Sequence, residues 1–141
     1  MTLTPQTTRT ILPSLAVGLG CDRGTPLATV EQALVEALAV GGLERRQVAV
    51  LATISAKANE AAFIQLARLN GWPLRLFCAE ALSRVAVPNP SEIVRRHMGT
   101  PSVSEAAALL AAGAGVAALL VEKYKLRGHD GRHATVSLVR F

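Results

Sequence analysis

The stretch Leu15-Ala16-Val17-Gly18-Leu19-Gly20-Cys21-Asp22-Arg23-Gly24-Thr25-Pro26 decides the fold. Its first six residues are continuously apolar and end in glycine, the pattern of a strand covered on both faces that feeds a tight turn. Thr25 then stands as a helix N-cap, with Pro26 at the first helical position, where a fixed φ and a missing N–H do no harm. Leu27, Val30, Leu34 and Leu38 fall on one face of that helix, and Gly41-Gly42 stops it. A strand, a glycine turn and a helix of this kind make half of a βαβ unit.

The same grammar repeats. Gln47-Val48-Ala49-Val50-Leu51-Ala52 reads as a second buried strand, with Ser55 as the cap of a helix whose buried side is Phe63, Ile64, Leu66 and Ala67. Asn70-Gly71 ends that helix, since both residues favour the left-handed conformation. Leu74 to Cys78 forms strand three. Right-handed crossovers then bring the loops after all three strands to one edge of a parallel sheet.

Beyond this point the rhythm changes. Pro88-Asn89-Pro90 and Thr100-Pro101 bracket a short helix, Ser91 to Met98, and exclude another βαβ unit. Ser102 and Glu105 have the spacing of a capping box for a helix over Ala106 to Ala112, stopped by Gly113. Ala118 to Leu126 and Ala134 to Phe141 are β-rich runs joined by Arg127-Gly128-His129-Asp130-Gly131-Arg132, a hairpin at one sheet edge. The expected architecture is an α/β three-layer sandwich: a mixed, mostly parallel sheet, helices on both faces and a C-terminal β-hairpin. Residues 1–13 read as a flexible N-terminal arm and 14–141 as a single domain.

The composition of the 141 residues agrees. Half are apolar, 18% are charged and 4% are aromatic, so the core is built of Ala, Leu and Val on packed helices and strands. The net charge of +5 favours anionic partners. Nucleic acid is not expected, because the cations are scattered and few aromatics are present for bases to stack on. Cys21 and Cys78, the two cysteines, are too far apart to suggest a disulfide framework or a clustered metal site. The apolar run Ala106 to Val121 falls short of a bilayer span and contains Gly113 and Gly115. Gly-Leu-Gly-Cys ending at Cys21 lacks the leucine of a lipoprotein signal. A cytoplasmic protein without a membrane, metal or cofactor is the expectation.

Chemistry is sought at the loop edge. Gly18 to Gly24 lies between a strand and a helix, where backbone N–H groups hold anions, and Arg23 adds a fixed charge. The third glycine comes one residue too late for a dinucleotide fingerprint, and no Gly-Lys-Ser/Thr follows for a triphosphate loop. In the equivalent turn after strand two, Ser55 and Lys57 pair a hydroxyl with a cation near a helix start, a placement that opposes the helix dipole and therefore calls for an anion. Glu60 has the spacing of an i, i+3 partner for Lys57, and Glu80 follows strand three as a turn cap or a further crevice residue. Cys21 is a candidate nucleophile without a histidine nearby. Structural roles suffice for His97, His129 and His133. No zinc spacing or nucleophile elbow is present. These residues alone describe a binding pocket.

Several of these pieces coincide in order: Gly18-x-Gly20-Cys21-x-Arg23-Gly24, Ser55-x-Lys57-x-x-Glu60, Ser102-Val103-Ser104-Glu105-Ala106-Ala107-Ala108-Leu109, Lys123 and Thr135-Val136. Together they resemble the CobE and CbiG C-terminal family of cobalamin biosynthesis. The resemblance implies a corrin or precorrin intermediate as partner, and other cobalamin-pathway enzymes as further partners. Long members of that family open the δ-lactone of a cobalt-precorrin with loss of acetaldehyde and carry additional domains; the length here is similar to that of the stand-alone type.

Precorrins are flat apolar rings with a rim of carboxylates, so the resemblance places Gly18, Gly20, Cys21, Arg23, Gly24, Ser55, Lys57, Glu60, Ser104, Glu105 and Lys123 at the ligand. Three readings stay open. In the leading one the protein binds or handles the intermediate. In the second it is a hydrolase of a precorrin lactone, with Lys57, Glu60 and Cys21 as catalytic candidates. In the third it is an interaction module for a pathway methyltransferase.

Overall fold

A computed structural model describes residues 13–88 and 103–141. Five strands form one sheet: β1 (Leu15–Cys21), β2 (Val48–Ile54), β3 (Leu74–Phe77), β4 (Leu119–Arg127) and β5 (His133–Arg140), in the spatial order β3-β2-β1-β5-β4. β1 pairs in parallel with β2, and β2 with β3. β5 runs antiparallel to both β1 and β4, so four of the five strands point the same way. The hairpin is present, but only β4 lies at the edge; β5 is inserted against β1 and is buried from Val136 to Val139.

Helices cover both faces. On one side lie α1 (Leu27–Gly41) and α2 (Ala61–Asn70), whose Val30, Leu34, Phe63 and Leu66 pack on Leu15, Val17, Leu19 and Leu138. On the other lie α3 (Ala79–Ser83) and α4 (Val103–Ala112). Their Leu82, Ala106 and Ala107 meet Ala52 and Ile54, while Ala108 and Leu109 meet Val139. This is the three-layer sandwich that period-2 burial of β1 demands, because residues 15, 17 and 19 serve one layer and 16, 18 and 20 the other.

Gly18 sets the closeness of the second layer. A Cβ at this position would sit 1.7 Å from the carbonyl oxygen of Ser104 and 3.0 Å from Ala108 Cβ. The backbone of α4 therefore lies directly on the strand, a contact that only glycine admits. Two local expectations change. Thr25 does not cap α1, which starts after Pro26 with no side-chain cap; its Oγ1 instead donates to the carbonyls of Asp22 (2.7 Å) and His133 (3.3 Å). Ser55 does not cap a helix either: Ser55–Lys57 is a 3-10 turn with Ser55 and Ala56 exposed, and α2 begins four residues beyond Lys57 at Ala61. The expected arm before Pro13, the Ser91 to Met98 helix with His97, and the Ser102 cap lie outside the described residues.

Candidate functional site at the carboxyl edge of the sheet

The parallel strands end on one edge, and the turns after β1 and β2 meet there through Glu60. Its carboxylate accepts the Gly24 N–H at 2.9 Å on one oxygen and faces Lys57 Nζ at 3.2 Å on the other. Gly24 adopts φ +78°, the left-handed region that favours glycine, and this conformation turns its N–H toward the second loop. The side chains of Lys57 and Glu60 are only 11% and 9% exposed. A solvated i, i+3 pair would contribute little, whereas a pair this far from water has to be matched closely, and the backbone N–H supplies the additional bond that Glu60 needs.

Cys21 adjoins this cluster. Burial pushes its thiol up to about 11, with the Lys57 charge working against that rise and the Glu60 charge adding to it. The thiol is therefore protonated at neutral pH, the opposite of what an activated nucleophile requires. Asp22 moves the other way: the backbone N–H of His133, at 2.7 Å, is the main reason its carboxyl is held below the usual range, and the His133 ring adds a second contact at 3.3 Å. Arg132 Nε donates to the carbonyl of Arg23 at 3.0 Å while its guanidinium pairs with Asp130. The hairpin end thus holds the backbone of the β1 turn in place and leaves Arg23 exposed beside Gly24.

A second group forms around Ser137, on the α4 side. Val121 pairs with Leu138 and Tyr124 with Val136, so Glu122 and Lys123 together stand opposite the single residue Ser137. This is a β-bulge, a device that re-aims side chains at a strand. The Ser137 hydroxyl donates to the Glu122 carbonyl and lies 2.8 Å from Ser104 Oγ in the first turn of α4. Ser104 is thereby occupied by a buried structural bond, and Glu105 beside it is fully buried.

The expected residues thus divide into two adjoining groups: Gly24, Lys57, Glu60 and Cys21 at the two loops, with exposed Arg23 and Ser55 on the same turns, and Ser104, Glu105 and Lys123 around the bulge. Gly18 and Gly20 face the α4 side of β1. Glu80 stands apart, paired with Arg84 at 2.9 Å on the surface. A cavity of about 290 Å³ between Thr29 and Gln32 of α1 and Leu126 and His129 of the hairpin includes none of the expected ligand residues. Thr25, Arg132, His133 and Ser137 are the residues that sequence reasoning missed. Each acts on a partner more than 15 positions away or on a backbone carbonyl, so no local pattern marks these roles: Thr25 reads as an N-cap, and Arg132 and His133 read as parts of a hairpin turn.

Among the described residues, no helix is long and apolar enough to cross a membrane, and no group of three or more His, Cys, Asp and Glu residues could hold a metal ion. The family described as Cobalamin synthesis G C-terminus matches residues 15–139. Protein CobE of Sinorhizobium sp is 36% identical over 126 residues, which cover 88% of this chain and 78% of that protein. The cobalt-precorrin-5A hydrolase of Priestia megaterium is 33% identical over 109 residues, 77% of this chain but only 29% of the hydrolase. The crystal structure of CobE, a protein from the cobalamin (vitamin B12) biosynthetic pathway, superposes with a TM-score of 0.73 at 30% identity and covers 92% of each chain.

Proposed function

The chain belongs to the Cobalamin synthesis G C-terminus family and is a cobalamin biosynthesis protein, and from that premise we propose that it binds a corrin-type intermediate by its rim carboxylates at the carboxyl edge of the sheet. Residues 14–141 act in this reading as one domain, working in the reducing cytoplasm where Cys21 and Cys78 stay free. The observation that carries the reading is the nearly buried Lys57–Glu60 pair bound to the Gly24 N–H, which draws two βα turns into a single polar cluster. Ligands of open α/β sheets bind at this edge, and a carboxylate entering it meets Arg23 and Lys57 as charge-assisted donors. Lys57 is already matched by Glu60, so Arg23 offers the freer charge for the first encounter and Lys57 the more desolvated one.

The protonated Cys21 thiol speaks for handling over a hydrolysis that uses Cys21 as its nucleophile. The cobalt-precorrin-5A hydrolase activity named for the Priestia protein belongs to a chain of which this one spans less than a third.

The test is a spectral titration with cobyrinic acid, whose rim carries free carboxylates, and with cobinamide, the same ring with its rim amidated. Cobyrinic acid binds the more tightly, and added salt weakens it. Arg23→Ala lowers that affinity about tenfold, the lower end of a charged hydrogen bond lost at an exposed position. Lys57→Met combined with Glu60→Gln keeps an acceptor for the Gly24 N–H and avoids stranding a charge, and it lowers affinity by a similar factor. Equal binding of the two rings, or unchanged affinity in both variants, refutes the site. Acetaldehyde release from a lactone-bearing precorrin supports the hydrolase instead, and co-purification of a methyltransferase without binding supports the interaction module.

A further inference from the structure

The cleft between the start of α1 and the β4–β5 turn belongs to neither group of residues described above. It holds about 290 Å³ and lies on the α1 face of the sheet, at the same carboxyl edge as the Lys57–Glu60 cluster. Thr29, 8% exposed, forms its floor, and exposed Gln32, Arg127 and His129 form its walls.

Three features of this cleft suit an anion. The first is the Thr29 hydroxyl, which makes no hydrogen bond among the described residues, although buried polar groups are as a rule paired. It points at Gly128 across the cleft, where a Cβ would come within 2.6 Å of Oγ1, so a bare backbone is needed to leave it room. The second is the N-terminus of α1, which carries neither a side-chain cap nor an acidic residue in its first turn. The Pro26 carbonyl takes the N–H groups of Thr29 and Val30, while those of Leu27 and Ala28 have no acceptor among the described residues. The helix dipole adds positive potential at the same end. The third is Arg127, whose guanidinium lies beside Gly131 and joins no ion pair among the described residues. The carboxylates of α1 and of the turn are engaged elsewhere: Glu31 with Arg45, Glu36 with the Tyr124 hydroxyl and the Gln32 amide, and Asp130 with Arg132.

We propose that this cleft is an oxyanion subsite, in which a carboxylate or phosphate group accepts from Thr29 Oγ1 and the Arg127 guanidinium against the positive end of α1, with the His129 ring N–H at its mouth. The space takes one acid group on a short chain, or a small free acid, and not a whole macrocycle. Two sources present that chemistry: a further acid chain of the ring held at Arg23 and Lys57, or a separate small acid. β4, which ends in Arg127, and β2, which leads to Lys57, are three strand spacings apart, about 14 Å, so a large ligand would meet the two sites with opposite sides. The subsite shares no residue with the corrin-binding reading, and the two can fail separately.

The test is an NMR titration of the 15N-labelled protein with succinate and with inorganic phosphate, balanced against chloride at constant ionic strength. Expected are saturating amide shifts centred on Ala28, Thr29, Gly128 and His129. Thr29→Val keeps the shape and removes the donor, Arg127→Gln removes the charge, and each lowers the affinity about tenfold. Thr29→Val also leaves the melting temperature equal to or above that of wild type, because the hydroxyl bonds nothing inside the protein; a structural hydroxyl would lower it. Shifts that do not saturate, that chloride reproduces, or that centre elsewhere overturn the inference. So does unchanged affinity in Arg127→Gln, even where Thr29→Val is destabilised. Cobyrinic acid then separates the sources. If both variants weaken it as they weaken succinate, the subsite holds a rim chain of the ring. If they leave it unchanged, or if wild type does not bind it, the occupant is a separate small acid, and in the second case the subsite stands while the corrin-binding reading falls.

Discussion

Gly18→Ala is expected to destabilise the protein far more than an added methyl group ordinarily does. The new Cβ lies 1.7 Å from the Ser104 carbonyl oxygen and 2.7 Å from its carbon, so α4 has to withdraw by about 1.3 Å to reach even 3.0 Å, the shortest approach real Cβ atoms tolerate. The obstacle is backbone and cannot rotate aside. Overpacking of this kind costs about 1–3 kcal/mol. The same withdrawal stretches the 2.8 Å contact between Ser104 and Ser137 beyond hydrogen-bond reach and takes that bond from the buried Ser104 hydroxyl, for about another 1–3 kcal/mol.

The total, about 2–6 kcal/mol, is a large part of the 5–15 kcal/mol that typically holds a domain together. With a urea slope of about 2 kcal/mol per molar, the unfolding midpoint falls by about 1–3 M. Urea titration followed by circular dichroism measures it. A midpoint within about 0.25 M of wild type would show that α4 does not rest on β1 as described, and the steric argument for Gly18 would be wrong.

Two further outcomes follow from the titratable groups. Iodoacetamide at pH 7.5 should label exposed Cys78 at least tenfold faster than Cys21, whose labelling in the folded protein rises only as pH approaches about 11; equal labelling by mass spectrometry would contradict the burial of Cys21. Because the folded-state pKa of Asp22 is depressed, its contribution is present above the unfolded value of about 4 and is lost as pH falls through the lower folded one. Asp22→Asn should therefore cost up to about 1 kcal/mol at neutral pH, a small amount because the side chain is more than half exposed, and nothing at strongly acid pH; a constant difference across pH would remove His133 as its partner.

The layers and the directions of β1, β2 and β3 were legible because burial on both faces leaves a continuous apolar run, and a glycine turn followed by an amphipathic helix can continue in only one way. The boundary at Ser55 was not legible. A serine ahead of a periodic run looks like a cap, but the chain spends Ser55–Lys57 in a 3-10 turn and hands the N-terminal position to Glu60. The depth of the Lys57–Glu60 pair was equally hidden, since i, i+3 spacing is the same on a wet surface and in a closed cleft. What closes it is Gly24, 36 residues away. The interior position of β5 was hidden as well: Thr135 and Ser137 alternate with apolar residues as an edge strand would, yet Ser137 is fully buried by its bonds to α4 and the bulge. Of the glycines in that first loop, Gly18 answers to the close approach of α4 and Gly24 to its left-handed turn.

The pairing of β1 with β5 has a consequence for biogenesis. Leu15 lies beside Arg140 and Cys21 beside Ala134, so the central strand acquires its second neighbour only after the sheet's last strand has been synthesised. Until then a nascent chain presents an apolar strand with one edge open, the condition that invites chaperones or self-association. Closing so distant a contact is also slow, and a truncation that removes β5 would expose the middle of the sheet rather than trim its rim.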